Sequence, residues 1–179
     1  MAPVALEMPN ASPAPTRIWP EDWERRKAGI DCQLCAEGRP DVNSYGSRRV
    51  WAGTYSDGYL KTQIAPRGYV IVVWRGRHVA EPTELSREEA IGYWFEVLAV
   101  ARAIERLYEP AKLNIEILGN GVPHLHTHVV PRYVHDPNPG YPPTYLDAVT
   151  EETPPDEYER EAASLREAIR LDGTGPVDR

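Results

Sequence analysis

The sequence predicts an α+β fold in which one long helix packs on an antiparallel sheet of about five strands, with a further helix near the carboxyl end. Three observations carry this prediction. Three runs of strand-forming residues follow one another with short turn signals between them. A long run with apolar residues at helical spacing comes next. Two more strand-like runs then flank a glycine-containing turn, and the second of them carries alternating histidines.

Length and charge limit the classes of function. The chain has 179 residues, enough for one domain with tails, and a formal net charge of −7 with scattered lysines and arginines. A groove for DNA or RNA is therefore not expected, whereas a small anionic substrate is compatible with the composition. No apolar run approaches the ~18 residues of a membrane span, and no signal peptide is recognised, so we expect a cytoplasmic protein.

The chain is predicted to divide into three parts. Residues 1–16 are rich in alanine and proline and are expected to form a disordered leader. Residues 17–135 carry the domain, and residues 136–179 combine a Pro-rich surface loop with a helix that packs on the domain or extends it. Within the domain, residues 17–27 suit a short helix whose two tryptophans are interpreted as packing anchors.

The first three strands are predicted as an antiparallel meander over residues 48–54, 59–64 and 69–74. The turn signals between them are Ser56-Asp57-Gly58 and Pro66-Arg67-Gly68. Because the third strand is apolar throughout, we expect it to be central, with both of its faces covered.

One long helix is predicted from Ser86 to Tyr108. Ser86 and Glu89 have the spacing of a capping box, and Pro110 ends the helix. The apolar positions at helical spacing are interpreted as core facing the sheet. They are Ala90, Ile91, Trp94, Phe95, Leu98, Ala101, Ile104 and Leu107.

The last strands are predicted over residues 112–118 and 124–132, joined as a hairpin by a tight Gly119-Asn120-Gly121 turn. Residues 112–118 alternate apolar and polar side chains, which is typical of a half-buried strand. After the Pro-rich loop, residues 156–171 show one apolar stripe on an otherwise charged run, which predicts a solvated helix.

The strongest candidate for a functional site is the row His124, His126 and His128, three of only five histidines. In a strand, alternation places all three imidazoles on one face. Three chemistries fit the row: a metal site of three imidazoles, a nucleophilic histidine with two helpers, or an acid/base relay. Alternation alone does not choose among them.

The two cysteines, Cys32 and Cys35, are separated by two residues. Such a close pair is a poor disulfide staple for a secreted protein, and the sequence around it lacks the strand that precedes a redox pair in a βαβ unit. The spacing favours one edge of a zinc site, provided that the fold supplies two more ligands.

Residues 30–135 resemble the histidine triad (HIT) superfamily of nucleotide hydrolases and transferases. Its signature, H-x-H-x-H followed by two apolar residues and often by Pro-Arg, matches His124 to Arg132. The supporting features also occur in the expected order: the C-x-x-C pair, an apolar strand ending in a basic turn with His78, the long helix, and a strand with Asn114. The resemblance implies a HIT-like fold.

The resemblance also implies site residues. The middle histidine, His126, attacks the α-phosphorus of a nucleotide ester, anhydride or phosphoramidate and forms a covalent nucleotidyl-histidine. His128 donates to the phosphate or the leaving group. Candidate substrate contacts are Asn114, Asn120 and Gln63. Gln63 is nearest to the place where many members have a ribose-binding aspartate. For Asn120, a structural role as a left-handed turn residue is equally open.

In zinc-containing members, the metal is held by residues that correspond to Cys32, Cys35, His78 and His124. This Cys₂His₂ set suits a tetrahedral structural zinc and leaves the other two triad histidines for phosphorus chemistry. Family members commonly form two-fold dimers through the long helix and an edge strand, so the resemblance also implies a homodimer.

Several functions remain open on this scaffold. The leading one is a hydrolase of dinucleoside polyphosphates or nucleoside phosphoramidates. A nucleotidyltransferase or phosphorylase differs only in the acceptor that resolves the intermediate, and a nucleotide-binding protein without useful turnover is the third alternative. A metal-dependent oxygenase is weaker, because no carboxylate stands beside the histidine row.

Overall fold

The fold is a five-stranded antiparallel sheet with its two long helices on one face, in a computed structural model that describes residues 19–61, 66–136, 140–141 and 153–171. The strands are β1 (Arg48–Ala52), β2 (Ser56–Leu60), β3 (Val70–Trp74), β4 (Lys112–Glu116) and β5 (His126–Arg132). The helices are α1 (Trp23–Lys27), α2 (Gln33–Glu37), α3 (Arg87–Tyr108) and α4 (Pro155–Leu171). Their arrangement confirms the predicted α+β class.

The apolar strand β3 is central, as predicted, because the strand order is β1-β2-β3-β5-β4. Its Val70 and Val72 lie in the main core with side chains of α3 and α4. The helix α4 is tied to the sheet through Tyr158, whose hydroxyl accepts the Arg48 N–H at 2.9 Å and donates to the Leu60 carbonyl at 2.6 Å. Both helices therefore cover the same face of the sheet.

The opposite face carries the two histidines of β5. The register aligns Asp57, Val73 and His126 across three strands, and Tyr59, Ile71 and His128 form the next row. Because residues paired across strands share a face, both rows lie on the side away from α3. We call this sheet surface, with these two rows, the site face.

The predicted turn at Ser56-Asp57-Gly58 is wrong, since these residues begin β2 and the turn precedes them. The cause is Glu96, a buried carboxylate of α3 that accepts four hydrogen bonds from the turn and from the strand residues beside it. Its donors are the Trp51 indole, the Thr54 and Tyr55 N–H groups and the Ser56 hydroxyl. A tertiary contact thus fixes the turn, and residues with high turn propensity enter the strand.

The bounds and the capping box of α3 are as predicted, but most of its predicted core stripe faces outward. Ile91, Trp94, Phe95 and Leu98 are 36–63% exposed, and Leu107 is 39% exposed. The buried face contains the correctly predicted Ala101 and Ile104, together with Tyr93, Glu96, Val97 and Val100 and the small residues Ala99 and Ala103. Small side chains let the helix approach the sheet closely, so the larger apolar residues are left at the surface.

The connection between β4 and β5 is longer than the predicted tight turn and spans residues 117–125. Leu125 bonds outside the hairpin, to the Val79 carbonyl and the Trp74 N–H. His124 therefore precedes β5, which corrects the prediction that all three histidines share one strand. The left-handed residue of this segment is Gly119, with φ of +66°, rather than Asn120.

The amino-terminal helix is shorter than predicted, because α1 begins at Trp23. Trp19 is 58% exposed and packs on the Trp23 ring, so it does not anchor the core. The predicted leader at residues 1–16 and Gln63 lie outside the described residues. Among the helices that are described, none is long and apolar enough to cross a membrane.

Candidate functional site

His126 and His128 stand side by side on the site face. Alternation along β5 directs both rings to this surface, while Thr127 between them points into the core and bonds the Tyr93 hydroxyl at 2.7 Å. The two imidazole rings meet edge to face with centroids 4.9 Å apart. Both residues are half-buried, so part of each side chain remains accessible to solvent.

The backbone fixes the tautomer of His126. Its Nδ1 lies 2.6 Å from the His124 carbonyl oxygen, and only an Nδ1–H can make that hydrogen bond. The lone pair of the ring is therefore on Nε2. Burial lowers the pKa of His126, so the imidazole is neutral near pH 7 and its Nε2 is nucleophilic.

His128 has a different partner, the hydroxyl of Tyr69, which bonds its Nδ1. Burial lowers the pKa of His128 to about 4, and the neighbouring His126 and Lys61 oppose its protonation further. No sequence motif singles out Tyr69 or Lys61 as a site residue. Alternation along the two strands could have pointed to them, because Lys61 follows Tyr59 by two residues and Tyr69 precedes Ile71 by two. The Lys61 N–H and the Tyr69 carbonyl pair at the ends of β2 and β3.

A second cluster lies beside the histidine pair and unites all four predicted metal ligands: Cys32, Cys35, His78 and His124. The Cys32 Sγ and His124 Nδ1 atoms are 3.4 Å apart, as are the Cys35 Sγ and His78 Nδ1 atoms. In a tetrahedral site with bonds of about 2.0–2.3 Å, ligand atoms are about 3.6 Å apart. The cluster therefore has the dimensions of a metal site.

The orientation of the two histidines also fits a metal. The Nε2 atoms of His124 and His78 bond the Trp74 and Lys27 carbonyl oxygens at 2.9 and 3.1 Å. These bonds place hydrogen on Nε2 and leave both Nδ1 lone pairs directed at the cysteines. Gly29 permits the close approach, because a Cβ there would lie 2.6 Å from the His78 ring.

A buried carboxylate and two arginines connect helix α2 to the sheet. Asp57, which is fully buried on the site face, receives hydrogen bonds from Arg39 and Arg75. Arg75 also donates to the Leu34 carbonyl of α2 at 3.1 Å. This network holds the cysteine pair against β2 and β3. The turn propensity of Ser56-Asp57-Gly58 gives no sign of it, because the partners of Asp57 are distant in the sequence.

Two of the three predicted substrate contacts, Asn114 and Asn120, lie among the described residues. Asn114 pairs with Val130 and so lies on the site face. Its side-chain oxygen accepts a hydrogen bond from the Arg132 guanidinium, with an N···O distance of 3.0 Å. Asn120 is exposed in the segment between β4 and β5. Gln63 lies outside the described residues.

Comparison with known proteins supports the family that the motif indicates. The HIT domain model matches residues 60–135. The "Protein hit" of Bacillus subtilis is 30% identical over 109 residues, which are 58% of this chain and 70% of that protein. The bis(5'-adenosyl)-triphosphatase of Saccharomyces cerevisiae is 32% identical over 71 residues, or 37% of this chain and 34% of the yeast protein.

Solved structures agree with the fold. A histidine triad protein from Sinorhizobium meliloti superposes with a TM-score of 0.60 at 27% identity, covering 68% of this chain and 89% of that one. A Zn-bound histidine triad family protein from Mycobacterium smegmatis shares the fold with a TM-score of 0.53 at 24% identity, over 79% and 94% of the two chains. The resemblance inferred from the histidine motif is thereby confirmed, and the chain belongs to the HIT family.

Proposed function

We propose that this protein is a nucleotide hydrolase that cleaves at the α-phosphate of a nucleotide ester, anhydride or phosphoramidate through a covalent nucleotidyl-His126. The observation that carries the proposal is the hydrogen bond from His126 Nδ1–H to the His124 carbonyl, because it leaves the lone pair of a neutral imidazole on Nε2 at the site face. The similarity to the yeast bis(5'-adenosyl)-triphosphatase supports a nucleotide substrate. We expect no nucleic-acid partner, and the cytoplasm is the expected compartment.

In the first step, the Nε2 lone pair of His126 forms a bond to the α-phosphorus, and the leaving group departs with the electron pair of the broken bond. His128 donates a hydrogen bond where negative charge develops. Water then attacks the phosphorus, the P–N bond returns its electron pair to Nε2, and the proton from water is released to solvent. Asn114, Asn120 and Gln63 are proposed to contact the substrate.

We propose structural zinc as the ion of the Cys₂His₂ cluster. Two thiolates and two imidazoles in a tetrahedral arrangement suit Zn²⁺, and the Mycobacterium smegmatis protein of the same fold is described as Zn-bound. Zinc would be held by Cys32, Cys35, His78 and His124 and would stabilise the packing of α2 on the sheet. His124 then serves the metal through its side chain and the nucleophile through its carbonyl.

The proposed function is tested with a panel of adenylated and guanylated esters, anhydrides and phosphoramidates. We expect release of the nucleoside monophosphate and, after acid quenching, a mass increase of one nucleotidyl group on the peptide that contains His126. Acceptor competition with phosphate or alcohols separates a hydrolase from a phosphorylase or transferase. Tight binding of a panel compound without cleavage or adduct would contradict the proposal and favour a nucleotide-binding protein.

We propose that the protein is a homodimer that buries the exposed apolar face of α3. This face, formed by Ile91, Trp94, Phe95 and Leu98, lies on the side of the helix away from the core. The edge strand β4 adds Ile115, which pairs with Val129 on the helix-covered face of the sheet and is 39% exposed. An apolar surface of helix and edge strand suits a self-complementary two-fold interface.

Charge on this face should dissociate the dimer. The double substitution Ile91→Glu and Phe95→Glu is expected to give a monomeric mass in multi-angle light scattering at micromolar concentration, because two carboxylates cannot be buried against a second apolar face. The control is Val134→Glu, since Val134 is 78% exposed outside α3, and it should remain dimeric. A monomeric parent protein at this concentration would exclude the proposed dimer.

A further inference from the structure

Tyr69 contacts the ring of His128 on the site face. The tyrosine is only 1% exposed, yet its hydroxyl reaches the Nδ1 of His128 on the site face. The two rings are 5.9 Å apart and inclined by 44°. A hydrogen bond at Nδ1 decides whether the other nitrogen, Nε2, carries the ring hydrogen or the lone pair.

Three hydrogen bonds fix the backbone of Tyr69 and of the residue before it. Its N–H bonds the Pro66 carbonyl at 3.1 Å, and its carbonyl accepts the Lys61 N–H at 2.9 Å. The preceding residue, Gly68, donates its N–H to the buried carboxylate of Glu161 on α4 at 3.0 Å. The hydroxyl of Tyr69 is therefore fixed relative to β5, and it acts as a positioned partner of the imidazole.

The charge around Tyr69 decides which group donates. The Lys61 ammonium lies over the Tyr69 ring, 5.0 Å from its centroid. A cation at the ring face draws electron density from the phenol oxygen, which favours the hydroxyl as a donor over an acceptor. Burial, His126 and Lys61 all oppose the cationic form of His128. The arrangement that satisfies both conditions has the Tyr69 hydroxyl donating to Nδ1 of a neutral His128.

We propose that Tyr69 is a positioning residue that, with Lys61, holds His128 as a neutral imidazole with its hydrogen on Nε2, and that the site therefore selects substrates with an anionic leaving group. The inference rests on the proposed function. A neutral imidazole gives a hydrogen bond but cannot release a full proton without becoming an imidazolate. A phosphate leaving group needs only that hydrogen bond, because it departs as a stable anion with the electron pair of the P–O bond.

An amine leaving group has the opposite requirement. When the P–N bond of a phosphoramidate breaks, the nitrogen must receive a proton to leave as a neutral amine or as ammonia, and the neutral His128 does not supply one. The Lys61 ammonium also attracts the negatively charged phosphate of an anhydride leaving group. It does not attract a neutral amine leaving group in this way. The preferred substrate class is thus the nucleoside phosphoanhydride rather than the phosphoramidate.

The test compares two substrates and two variants. The parent protein should cleave a dinucleoside triphosphate with a kcat/KM at least about tenfold above that for adenosine 5′-phosphoramidate, and Lys61→Met should shift this ratio about tenfold toward the phosphoramidate. Tyr69→Phe should lower kcat for the anhydride about tenfold with little change in KM, because it alters the donor and not the binding. Tyr59→Phe, at another buried tyrosine of the site face, is the matched control and should leave the ratio unchanged.

A spectroscopic readout separates this inference from the proposed function. In ¹⁵N-labelled protein, the His128 ring of the parent should show the Nε2–H tautomer, and Tyr69→Phe should show a mixture of tautomers whether or not any compound is cleaved. An unchanged tautomer in Tyr69→Phe, or a parent protein that prefers the phosphoramidate, would overturn the inference while leaving nucleotidyl-His126 intact. Absence of any adduct with the Nε2–H tautomer present would instead refute the proposed function.

Discussion

Replacing His126 with asparagine is expected to lower kcat/KM for every cleaved nucleotide by about a thousandfold or more. An amide nitrogen has no lone pair available for attack on phosphorus, so the variant loses the covalent step rather than one stabilising contact. The neighbouring positions should be unaffected, because asparagine is smaller than histidine and β5 is held by pairing with both β3 and β4. Steady-state release of nucleoside monophosphate measures the effect.

Two further histidine variants show whether the loss is specific. His128→Ala should lose about 10²- to 10³-fold in kcat, as expected for removal of one hydrogen-bond donor to the transition state. It should also accumulate nucleotidyl-His126 when the second step becomes slower than the first. His135→Asn is the matched control, since His135 is exposed beyond the end of β5, and it should retain full activity. Equal activity of His126→Asn and the parent would reject His126 as the nucleophile.

The sequence predicted those features that short-range patterns determine. The bounds of α3 follow from Ser86 and Glu89, whose reciprocal hydrogen bonds are local. The central place of β3 follows from its uninterrupted apolar run, and the pairing of β4 with β5 follows from alternation on both sides of a turn. The histidine motif indicated the family, because its spacing and its position after the long helix together are specific.

The features that the sequence did not predict depend on contacts between distant residues. Glu96 interrupts the apolar pattern of α3, and only the fold shows that it captures the turn before β2. The apolar periodicity of α3 predicts a core face wrongly, because periodicity indicates that a helix has two faces without indicating which one meets the sheet. Tyr69 is not predictable as a site residue, since tyrosine in a strand more often supplies buried area than a partner for a catalytic ring.

The position of His124 connects both halves of the site. Because Leu125 bonds the Val79 and Trp74 backbone, His124 is turned out of β5 and its ring enters the cysteine cluster. Its carbonyl nevertheless remains within 2.6 Å of the His126 Nδ1. The metal ligand and the backbone acceptor of the nucleophile are therefore one residue, and we expect that loss of the metal disturbs the tautomer of His126 as well as the packing of α2.

Loss of the proposed zinc is expected to have the largest effect on stability. Purified without chelator, the parent protein should contain about one zinc ion per chain, and Cys35→Ser should contain almost none. We expect the melting temperature of the variant to fall by about 10 °C or more, because the free energy of binding a structural zinc adds directly to the free energy of folding. Plasma mass spectrometry and differential scanning calorimetry measure the two quantities.

A matched control separates the metal from the helix that carries it. Ala36→Ser places the same new side chain at the next position of α2, where the residue is exposed and belongs to no ligand set, so it should keep both zinc and melting temperature. A chelator should lower the melting temperature of the parent toward that of Cys35→Ser and should leave Cys35→Ser unchanged. If the parent protein contains no zinc, or if its melting temperature is the same with and without chelator, the proposed zinc site is refuted. His124 would then act only through its carbonyl, which accepts the hydrogen bond from His126.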